Sequence, residues 1–373
     1  MAGGDEPLLS IVVPTYNERE NLPVLLRRIE EALRGVDFEV IVVDDDSPDG
    51  TWMLAEELAR ERYPWLRVIR RVGVRGLASA VIDGFRASRG RYVAVMDADL
   101  QHPPEILAGM LRAALETGAD VVVASRYVEG GGVEGWSRAR LLVSRGATLL
   151  ANLLLPESRA TTDPMSGFFI VRRGLLEACI DRLKPRGYKI LLEILVKCRP
   201  GLVVDYPYMF RRRLRGRSKL GFKTIIDYVI HVLELNEYRV FKNMAVGASG
   251  VAVLWLVLHV LSDILGVPAL AAYAAAIEAS IINNFAWNHL LVFRGRGEGK
   301  SLARRLAEYH GAVALGAVIN YAVFSILYGL LGVWKYAASL AGIVLGWAAN
   351  YLMSEHRVWG PASPSSRKAP PPR

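Results

Sequence analysis

The 373-residue sequence predicts two architectures in one chain, an α/β nucleotide-binding domain followed by an all-α transmembrane domain. Residues 1–240 alternate short apolar runs with amphipathic patterns, which is typical of a parallel sheet covered by helices on both faces. Residues 241–354 are mostly apolar and divide into stretches long enough to cross a bilayer. Acidic side chains follow several of the N-terminal apolar runs, at the sheet edge where open α/β folds bind ligands.

The apolar periodicity assigns each element of the first domain. In chain order these are a strand over Leu9–Val13, a helix over Arg19–Leu33, a strand over Glu39–Val43, a helix over Thr51–Glu61, a strand over Arg67–Arg70, a helix over Leu77–Ala87, a strand over Tyr92–Met96, a helix over Pro104–Glu116 and a strand over Val121–Ala124. No G-x-G-x-x-G follows the first strand and no G-x-x-x-x-G-K-[ST] occurs. The dinucleotide-binding and P-loop classes are therefore excluded.

The strongest candidate site follows the fourth predicted strand. Asp97 and Asp99 stand two residues apart, and Gln101, the one glutamine of the chain, stands two further on. Oxygen ligands alternating along an extended segment suit a hard divalent cation, Mg²⁺ or Mn²⁺. The alternative is a pair of solvated loop aspartates without a ligand.

Two further loops leave the same edge of the predicted sheet. Residues 13–18 (V-P-T-Y-N-E) follow the first strand, and residues 43–51 (V-D-D-D-S-P-D-G-T) follow the second. A carboxylate there can accept hydrogen bonds from a nucleobase, and Tyr16 can stack on a ring. The alternative for residues 47–51 is a turn that caps a helix, since Ser, Asp and Thr favour both.

Fixed positive charge follows the fifth predicted strand. This charge comes from Arg126, Arg138, Arg140 and Arg145, with the Ser144 hydroxyl among them, and arginine suits a phosphate because a guanidinium can bind two phosphate oxygens at once. The alternative is a flexible loop with ordinary surface arginines, and Arg138 and Arg145 are set aside on that ground. The segment 163–169 (D-P-M-S-G-F-F) is expected to shape the pocket floor. The basic run 210–219 contains Arg213 and Lys219, and Arg213 is a candidate for contacting a diphosphate or the acceptor phosphate. The alternative is that the run is attracted to anionic lipid.

The C-terminal third predicts a membrane domain. Residues 221–239 have helical apolar spacing that suits an amphipathic helix in the bilayer interface. Apolar stretches follow at about 245–261, 267–287, 311–331 and 336–353. The connection between the second and third stretches is the basic one, which predicts a cytoplasmic catalytic domain. Residues 284–293 echo residues 350–359, so two helical hairpins of common origin are expected.

Polar residues inside these stretches are few. Glu278, Asn283, Asn284 and Asn320 are candidates for a function, with interhelical hydrogen bonding favoured as the plainer explanation. Cys179 and Cys198 have no zinc or disulfide pattern and are expected to be buried thiols. The first residues carry acids and lack an apolar core, so no cleavable signal peptide is expected.

The three loop motifs together resemble the inverting glycosyltransferases of the GT-A fold. Within these the chain is most similar to the polyprenol-phosphate sugar synthases, and among them to the dolichol-phosphate mannose synthases. The resemblance covers roughly residues 8–235, and residues 241–356 resemble the GtrA-like four-helix membrane family. It implies a GT-A Rossmann-like domain over 1–219, an interface helix over 220–240, a transmembrane domain of two hairpins over 241–356 and a disordered tail over 357–373.

The resemblance also implies roles for residues. Nucleotide binding falls to Pro14, Tyr16, Glu18, Val43, Asp44, Asp45, Asp97, Ala98 and Lys219. Asp97, Asp99 and Gln101 would bind the metal and act in catalysis with Arg126 and Arg213. Arg126, Arg140 and Ser144 would bind the acceptor phosphate. The family's glutamate in the basic run is replaced here by Arg217, so any role of that carboxylate is in doubt.

The implied reaction transfers mannose, with inversion, from GDP-mannose to dolichyl or polyprenyl phosphate, aided by Mg²⁺ or Mn²⁺. No named residue decides the base or the sugar, so a UDP-glucose donor is the alternative. A different class of protein is a flippase for lipid-linked sugars with a gating domain. The net charge of +9 permits anionic partners, and membrane lipid is preferred over nucleic acid because no DNA-binding motif occurs. The expected location is the plasma membrane of an archaeon or bacterium.

Overall fold

The computed structural model describes residues 6–184, 189–211, 222–293, 301–353 and 367–368. The chain forms two compact units, residues 1–232 with 364–373, and residues 233–363. Of the predicted tail 357–373, only Arg367 and Lys368 are among the described residues. They form a short strand.

The first unit is built on an eight-stranded sheet. Its strands are β1 (Leu9–Thr15), β2 (Phe38–Asp44), β3 (Leu66–Arg70), β4 (Tyr92–Val95), β5 (Val121–Ser125), β7 (Phe169–Arg172), β8 (Val203–Pro207) and β10 (Arg367–Lys368), while β6 (Gly132–Val133) and β9 (Met209–Phe210) form a separate parallel pair. The order across the large sheet is β10-β8-β5-β7-β4-β1-β2-β3. The five predicted strands are confirmed to within two residues.

The prediction of a parallel sheet was wrong for one strand, β7. Strand β7 lies between β4 and β5 and is antiparallel to both. Strand β5 delivers the chain to the carboxyl edge, and the segment 126–168 folds there, so the next strand has to run back from that edge. Its sequence Phe169–Arg172 is too short to show a period, and its first residue belongs to the segment 163–169 that was expected to shape the pocket floor.

Helices cover both faces of this sheet. They are α1 (Leu22–Ala32), α2 (Thr51–Glu61), α3 (Leu77–Ala87), α4 (Leu107–Thr117), α5 (Arg138–Leu154), α6 (Arg173–Glu177) and α7 (Ile190–Cys198). The strands alternate their side chains between two apolar cores, with Ile11 and Val13 in one and Val12 in the other. Each fully buried side chain of this size contributes roughly 1.5–3 kcal/mol. Burial on both faces is why these strands are apolar without interruption.

The expectation of two free thiols was wrong. Cys179 and Cys198 form a disulfide, with 5.3 Å between their Cα atoms. Cys198 is the last residue of α7, and Cys179 lies two residues after α6 ends. Both side chains are buried in the same apolar core. Their separation of 19 residues in the sequence does not reveal that α6 and the end of α7 meet.

The second unit consists of long apolar helices. Helix α8 (Phe222–Leu235) occupies the predicted interface segment and crosses the division between the units, and α9 (Arg239–His259), α10 (Ala269–Trp287), α11 (Leu302–Phe324) and α12 (Lys335–Met353) follow it. Among the described residues, three helical segments are long and apolar enough to cross a membrane, Arg239–Ile264, Ala269–Val292 and Leu302–Leu330. The fourth predicted stretch is helical as α12.

The internal repeat is visible in how the helices pack. Gly250 of α9 lies against Asn284 of α10, and Gly316 of α11 lies against Asn350 of α12. A Cβ atom at Gly250 would stand 2.3 Å from the Asn284 side-chain oxygen, and one at Gly316 would stand 2.4 Å from that of Asn350. Each hairpin therefore uses a glycine to admit an asparagine at the same position.

Of the polar residues singled out in the apolar helices, Asn283, Asn320 and Glu278 have partners on other helices, whereas Asn284 accepts a hydrogen bond from its neighbour Asn283. Asn283 donates to the Ser249 hydroxyl at 3.0 Å, and Asn320 accepts from the Tyr273 hydroxyl at 2.9 Å. Glu278 lies 2.9 Å from His310 Nε2. These contacts support the interhelical role.

Candidate functional site

The metal-binding candidates lie in the loop after β4. Asp99 and Gln101 are buried, and the Asp97 side chain is 39% exposed. Asp99 Oδ1 accepts a hydrogen bond from the Gln101 backbone N–H at 3.2 Å, which curls the loop. Leu100 between them has φ +62°, a conformation that costs a non-glycine residue of order 1 kcal/mol or more.

Gln101 is fixed by the chain that follows β9. Its Nε2 donates to the Arg211 carbonyl at 3.1 Å, and its own carbonyl accepts from the Arg211 N–H at 3.1 Å. The amide nitrogen is thus committed, and the amide oxygen is the group that could bind a cation. That Gln101 is an oxygen ligand stays a prediction, and this geometry is compatible with it.

His102 is a site residue that the sequence analysis did not select. Its ring is buried, stacks on Phe168 at 5.2 Å between centroids, and accepts the Asp97 N–H at Nδ1 over 3.0 Å. Burial lowers the pKa of His102 below its ordinary value. With Nδ1 accepting, the neutral ring carries its proton on Nε2. His102 positions Asp97 rather than forming an ion pair with it.

In the loop after β2, Asp44 shapes the turn. Its carboxylate accepts hydrogen bonds at 2.7 Å each from the Thr15 hydroxyl, the Ser47 hydroxyl and the Ser47 N–H, and the residue is fully buried. These hydrogen bonds give Asp44 a turn-forming role, which the sequence had suggested only for residues 47–51, and nucleotide binding by Asp44 stays a prediction. Asp44 supports the site by holding the loops after β1 and β2 together.

Asp45 faces a third loop, which the sequence analysis overlooked. Its Oδ2 accepts from the Gly76 N–H at 2.8 Å, and its Oδ1 lies 3.2 Å from the buried guanidinium of Arg71. Arg71 also donates to the Ser79 hydroxyl at 2.6 Å. The signal in the sequence was the arginine directly after β3, at the same edge as the acidic loops.

The remaining nucleotide candidates follow β1. Glu18 accepts from the Asn21 amide at 2.6 Å, and its N–H donates to the Thr51 hydroxyl at 3.0 Å. The half-exposed ring of Tyr16 lies under the guanidinium of Arg75, 4.9 Å from it. Helix α1 begins at Leu22 rather than at the predicted Arg19, and residues 19–21 form a turn before it.

Three other residues predicted to contact the nucleotide are held in position by the backbone of β1, β2 and the loop after β4. Pro14 and Val43 are paired in the register of β1 and β2, and both are buried. Ala98 is buried between the two aspartates. They can meet a ligand only through the main chain or a small apolar surface. Asn17 and Asp46, like Leu100, have positive φ, so each of the three loops contains one strained residue.

Beside these loops lies a cavity of about 560 Å³. Asp97 and Gln101 line it together with the three predicted phosphate ligands Arg126, Arg140 and Ser144. Its apolar walls come from helices α5 and α8, with Val143, Ala147, Leu150, Ile225, Tyr228 and Val229. The structure thus brings two of the three metal candidates, Asp97 and Gln101, and the acceptor candidates to one cavity.

Arg126 is held by a buried carboxylate. Its Nε and Nη2 donate to the two oxygens of Asp163 at 2.6 and 2.7 Å, and its N–H donates at 3.2 Å. Burial acts to lower the pKa of Arg126, but the hydrogen bonds and charge of Asp163 outweigh it and raise the pKa above its ordinary value. Arg126 is therefore a permanent cation of fixed orientation.

Arg140 and Ser144 lie on successive turns of α5. The Arg140 guanidinium lies 4.3 Å from the centroid of the Trp136 ring, and the Ser144 hydroxyl lies 2.9 Å from that of Tyr127. Arg138 and Arg145, which the sequence analysis had set aside, are exposed. The helix therefore presents Arg140 and Ser144 to the cavity while its neighbouring arginines face outward.

Lys189 is a cation of the cavity that no pattern in the sequence marked. Its ammonium group donates to the Met165 carbonyl at 2.9 Å and lines the same cavity as Arg126. Burial, with the nearby charge of Arg126, lowers the pKa of Lys189. The predicted Arg213 and Lys219 lie outside the described residues.

No cluster of three His, Cys, Asp or Glu side chains suitable for a metal occurs in the described part of the chain. The set proposed from the sequence has two carboxylates and an amide. Such a set fits Mg²⁺ or Mn²⁺ only if other oxygen ligands complete the shell. Mg²⁺ sites built from one or two carboxylates and substrate phosphates are of this kind.

The fold and this site define a glycosyltransferase with a membrane domain. The sequence model of glycosyl transferase family 2 matches residues 10–180, and that of the GtrA/DPMS transmembrane domain matches residues 242–359. The dolichol-phosphate mannosyltransferase of Pyrococcus furiosus is 44% identical over 94% of this chain and 99% of its own. That of Saccharomyces cerevisiae is 35% identical over 63% of this chain and 89% of its own.

The chain belongs to glycosyl transferase family 2, in the group whose curated members carry the name dolichol-phosphate mannosyltransferase. The expectation of an enzyme is confirmed. Among solved structures, glucosyl-3-phosphoglycerate synthase from Mycobacterium tuberculosis is similar, with 24% identity, a TM-score of 0.47, and coverage of 62% of this chain and 80% of its own.

Proposed function

We propose that this protein transfers mannose from GDP-mannose to dolichyl or another polyprenyl phosphate, with inversion at the anomeric carbon and with a divalent cation. The observation that carries the proposal is the shared cavity. Groups suited to a nucleoside diphosphate and its metal, and groups suited to a second phosphate, line one space with apolar walls.

The acceptor end of the proposal depends on charge and on apolar surface. Arg126, Arg140 and Lys189 supply positive charge to the cavity, with the carboxylates of Asp163 and Asp97 nearby. Ser144 adds a hydroxyl donor. The apolar walls from α5 and α8 suit the first isoprene units of a lipid, and Ile225, Ile226 and Ile230 of α8 are exposed. A phosphate joined to a hydrocarbon chain matches both features.

The donor end depends on the three loops at the carboxyl edge. Asp45 and Tyr16 would meet the base, and the main chain around Pro14, Val43 and Ala98 would meet the ribose and base. Glu18 and Lys219 are proposed as further contacts to the nucleotide. Asp97, Asp99 and Gln101 would hold the cation against the diphosphate. When bound, the cation would supply Lewis-acid stabilisation of the departing GDP.

The chemistry of these residues is positioning and electrostatics. The acceptor phosphate is already anionic, so its oxygen can attack the anomeric carbon without a general base. The new C–O bond forms on one face of the sugar while the bond to the diphosphate breaks on the other, and its electron pair leaves with GDP. Arg126 and Arg140 orient the nucleophile at no reorganisation cost. Arg213 is proposed as a further contact to the phosphates.

The proposed orientation places the catalytic unit in the cytoplasm of an archaeon or bacterium. Helix α11 begins with Arg304 and Arg305, next to the basic connection 294–300, whereas α12 begins with Lys335 alone. Basic connections are retained inside. Cytoplasmic GDP-mannose would then be available to the site.

A two-donor assay tests the function. The full-length protein in detergent receives dolichyl phosphate with radiolabelled GDP-mannose or UDP-glucose, each with Mg²⁺, Mn²⁺ or EDTA. We expect label in the lipid fraction from GDP-mannose only, and its loss in EDTA. Transfer only from UDP-glucose would replace the donor with the alternative, and full activity in EDTA would remove the metal from the proposal.

A further inference from the structure

The loop between β3 and α3, residues 72–76, contacts the proposed nucleotide site without having been assigned to it. Val72 and Val74 are exposed, so the loop has no core of its own. It is fastened instead at its last residue, because the Gly76 N–H donates to Asp45 Oδ2 at 2.8 Å. Gly76 has φ +143°, a conformation that side chains rarely adopt.

Arg75 is the residue next to that anchor. Its guanidinium carbon lies 4.9 Å from the centroid of the Tyr16 ring. Within the part of the chain that the structure describes, this guanidinium has no hydrogen bond or ion pair. The Gly76–Asp45 hydrogen bond therefore holds the backbone of Arg75 close to Asp45, and the guanidinium of the exposed Arg75 lies over Tyr16 with its five N–H donors available.

Arg71 makes the pairing rigid. It is buried, lies 3.2 Å from Asp45 Oδ1, and donates to the Gly76 carbonyl at 3.3 Å as well as to Ser79. Asp45 and the end of the loop are thus held by the same guanidinium. The Asp45 carboxylate is therefore held in place, and Arg75 is the residue directly before the glycine that Asp45 binds.

We propose that Arg75 determines the base specificity of the donor site by donating to the O6 and N7 atoms of guanine, with Asp45 accepting from the adjacent N1–H and N2–H groups. Guanine carries two acceptors, O6 and N7, on one edge and two donors, N1–H and N2–H, on the adjoining edge, and a forked guanidinium matches O6 and N7. Uracil offers one donor, N3–H, and a single acceptor, O4, on the corresponding side. The inference rests on the proposed GDP-linked donor and names what would select it.

Nucleotide binding to the full-length protein in detergent tests this directly. Titration calorimetry in Mg²⁺ would compare GDP, UDP and 7-deaza-GDP, which lacks N7, for the unaltered protein, Arg75→Ala and Arg75→Lys. We expect Arg75→Ala to weaken GDP roughly ten- to a hundredfold, the effect of a charge-assisted hydrogen bond, and UDP by less than about threefold. 7-deaza-GDP should bind the unaltered protein less tightly than GDP and lose less on substitution. Arg75→Lys should not restore the preference, because it lacks the fork.

Val74→Ala in the same loop is the matched control and should change neither affinity. Equal losses for GDP and UDP in Arg75→Ala would overturn the inference, since they would place Arg75 on the phosphates. A GDP preference that survives the substitution would overturn it while leaving the proposed donor intact. An unaltered protein that prefers UDP would overturn both.

Discussion

Arg126 and Asp163 form a forked ion pair inside the first unit, with nitrogen–oxygen distances of 2.6 and 2.7 Å. Asp163 is fully buried and the Arg126 side chain is 7% exposed. Asp163 comes from the segment before β7, so the strand that reverses the sheet also delivers the partner of the proposed phosphate ligand. A buried pair of this kind fixes orientation more than it adds stability.

Removing one partner of that pair should be costly. We expect Asp163→Asn to lower the free energy of unfolding by about 3–5 kcal/mol, because it leaves the Arg126 charge buried with half its bonding. Thermal unfolding in detergent measures this. Glu56→Gln breaks the exposed pair with Arg60 and should change stability by less than about 1 kcal/mol. Equal effects in the two variants would contradict the buried-pair account.

Substitution of the metal candidate Asp99 and of the turn-forming Asp44 should have different effects on activity and on stability. Asp99→Ala should abolish transfer and metal-dependent nucleotide binding while the unfolding temperature stays close to that of the unaltered protein. Asp44→Ala should instead lower stability, by about 1–3 kcal/mol for each buried donor left unsatisfied at Thr15 and Ser47. Calorimetric unfolding and a transfer assay on both variants make the comparison. A large stability loss in Asp99→Ala would favour a structural role.

The acceptor site predicts a difference between two arginines of one helix. Arg140→Ala should reduce the use of dolichyl phosphate roughly ten- to a hundredfold, the value of a charge-assisted contact of about 1.5–3 kcal/mol. Donor affinity should be nearly unchanged. Arg138 is an exposed residue of the same helix that does not line the cavity, so Arg138→Ala should reduce the use of dolichyl phosphate much less. Kinetics with varied acceptor give both values, and equal losses would mean that a diffuse basic surface attracts the lipid.

Much of this fold could be predicted because burial on both faces leaves a plain signal. The strands Leu9–Thr15 and Phe38–Asp44 are continuous apolar runs, and the acidic residues after them could be assigned to one sheet edge from connectivity alone. The placement of Arg126, Arg140 and Ser144 beside Asp97 and Gln101 came from the family resemblance, and the structure brings all five to one cavity.

What the sequence could not provide depends on contacts between distant segments. Strand β7 is short, and its direction follows from where the preceding chain ends. Lys189 has no motif and becomes a site residue only because the start of α7 meets Met165. The Cys179–Cys198 bond and the link between Gly76 and Asp45 have the same origin, since neither spacing has a local signature.

Glu39 predicts a pH dependence of stability at the opposite edge of the sheet. Burial would raise its pKa, but hydrogen bonds from Ser10, the Arg89 N–H and Arg67 outweigh burial and lower the pKa below 4.5. The pKa of Glu39 is lower in the folded protein than in the unfolded chain, so this carboxylate stabilises the fold at pH values above its unfolded pKa. The contribution is lost as the pH falls through the pKa that Glu39 has in the folded protein. Chemical denaturation measured between pH 7 and pH 3 should show that the free energy of unfolding falls less on acidification for Glu39→Gln than for the unaltered protein. An identical acid profile would contradict this.

The glycine–asparagine contacts of the second unit predict a stability cost at equivalent positions of both hairpins. Gly316→Ala places a methyl group 2.4 Å from Asn350, and Gly250→Ala places one 2.3 Å from Asn284. Overpacking of this kind should cost about 1–3 kcal/mol in each case. Gly311 lies on the same helix as Gly316 with nothing within 4 Å of an added Cβ atom, so Gly311→Ala should be neutral or stabilising by up to about 1 kcal/mol. Unfolding temperatures in detergent decide it. If Gly316→Ala behaves like Gly311→Ala, the asparagine moves aside freely and the repeated contact does not hold the hairpins.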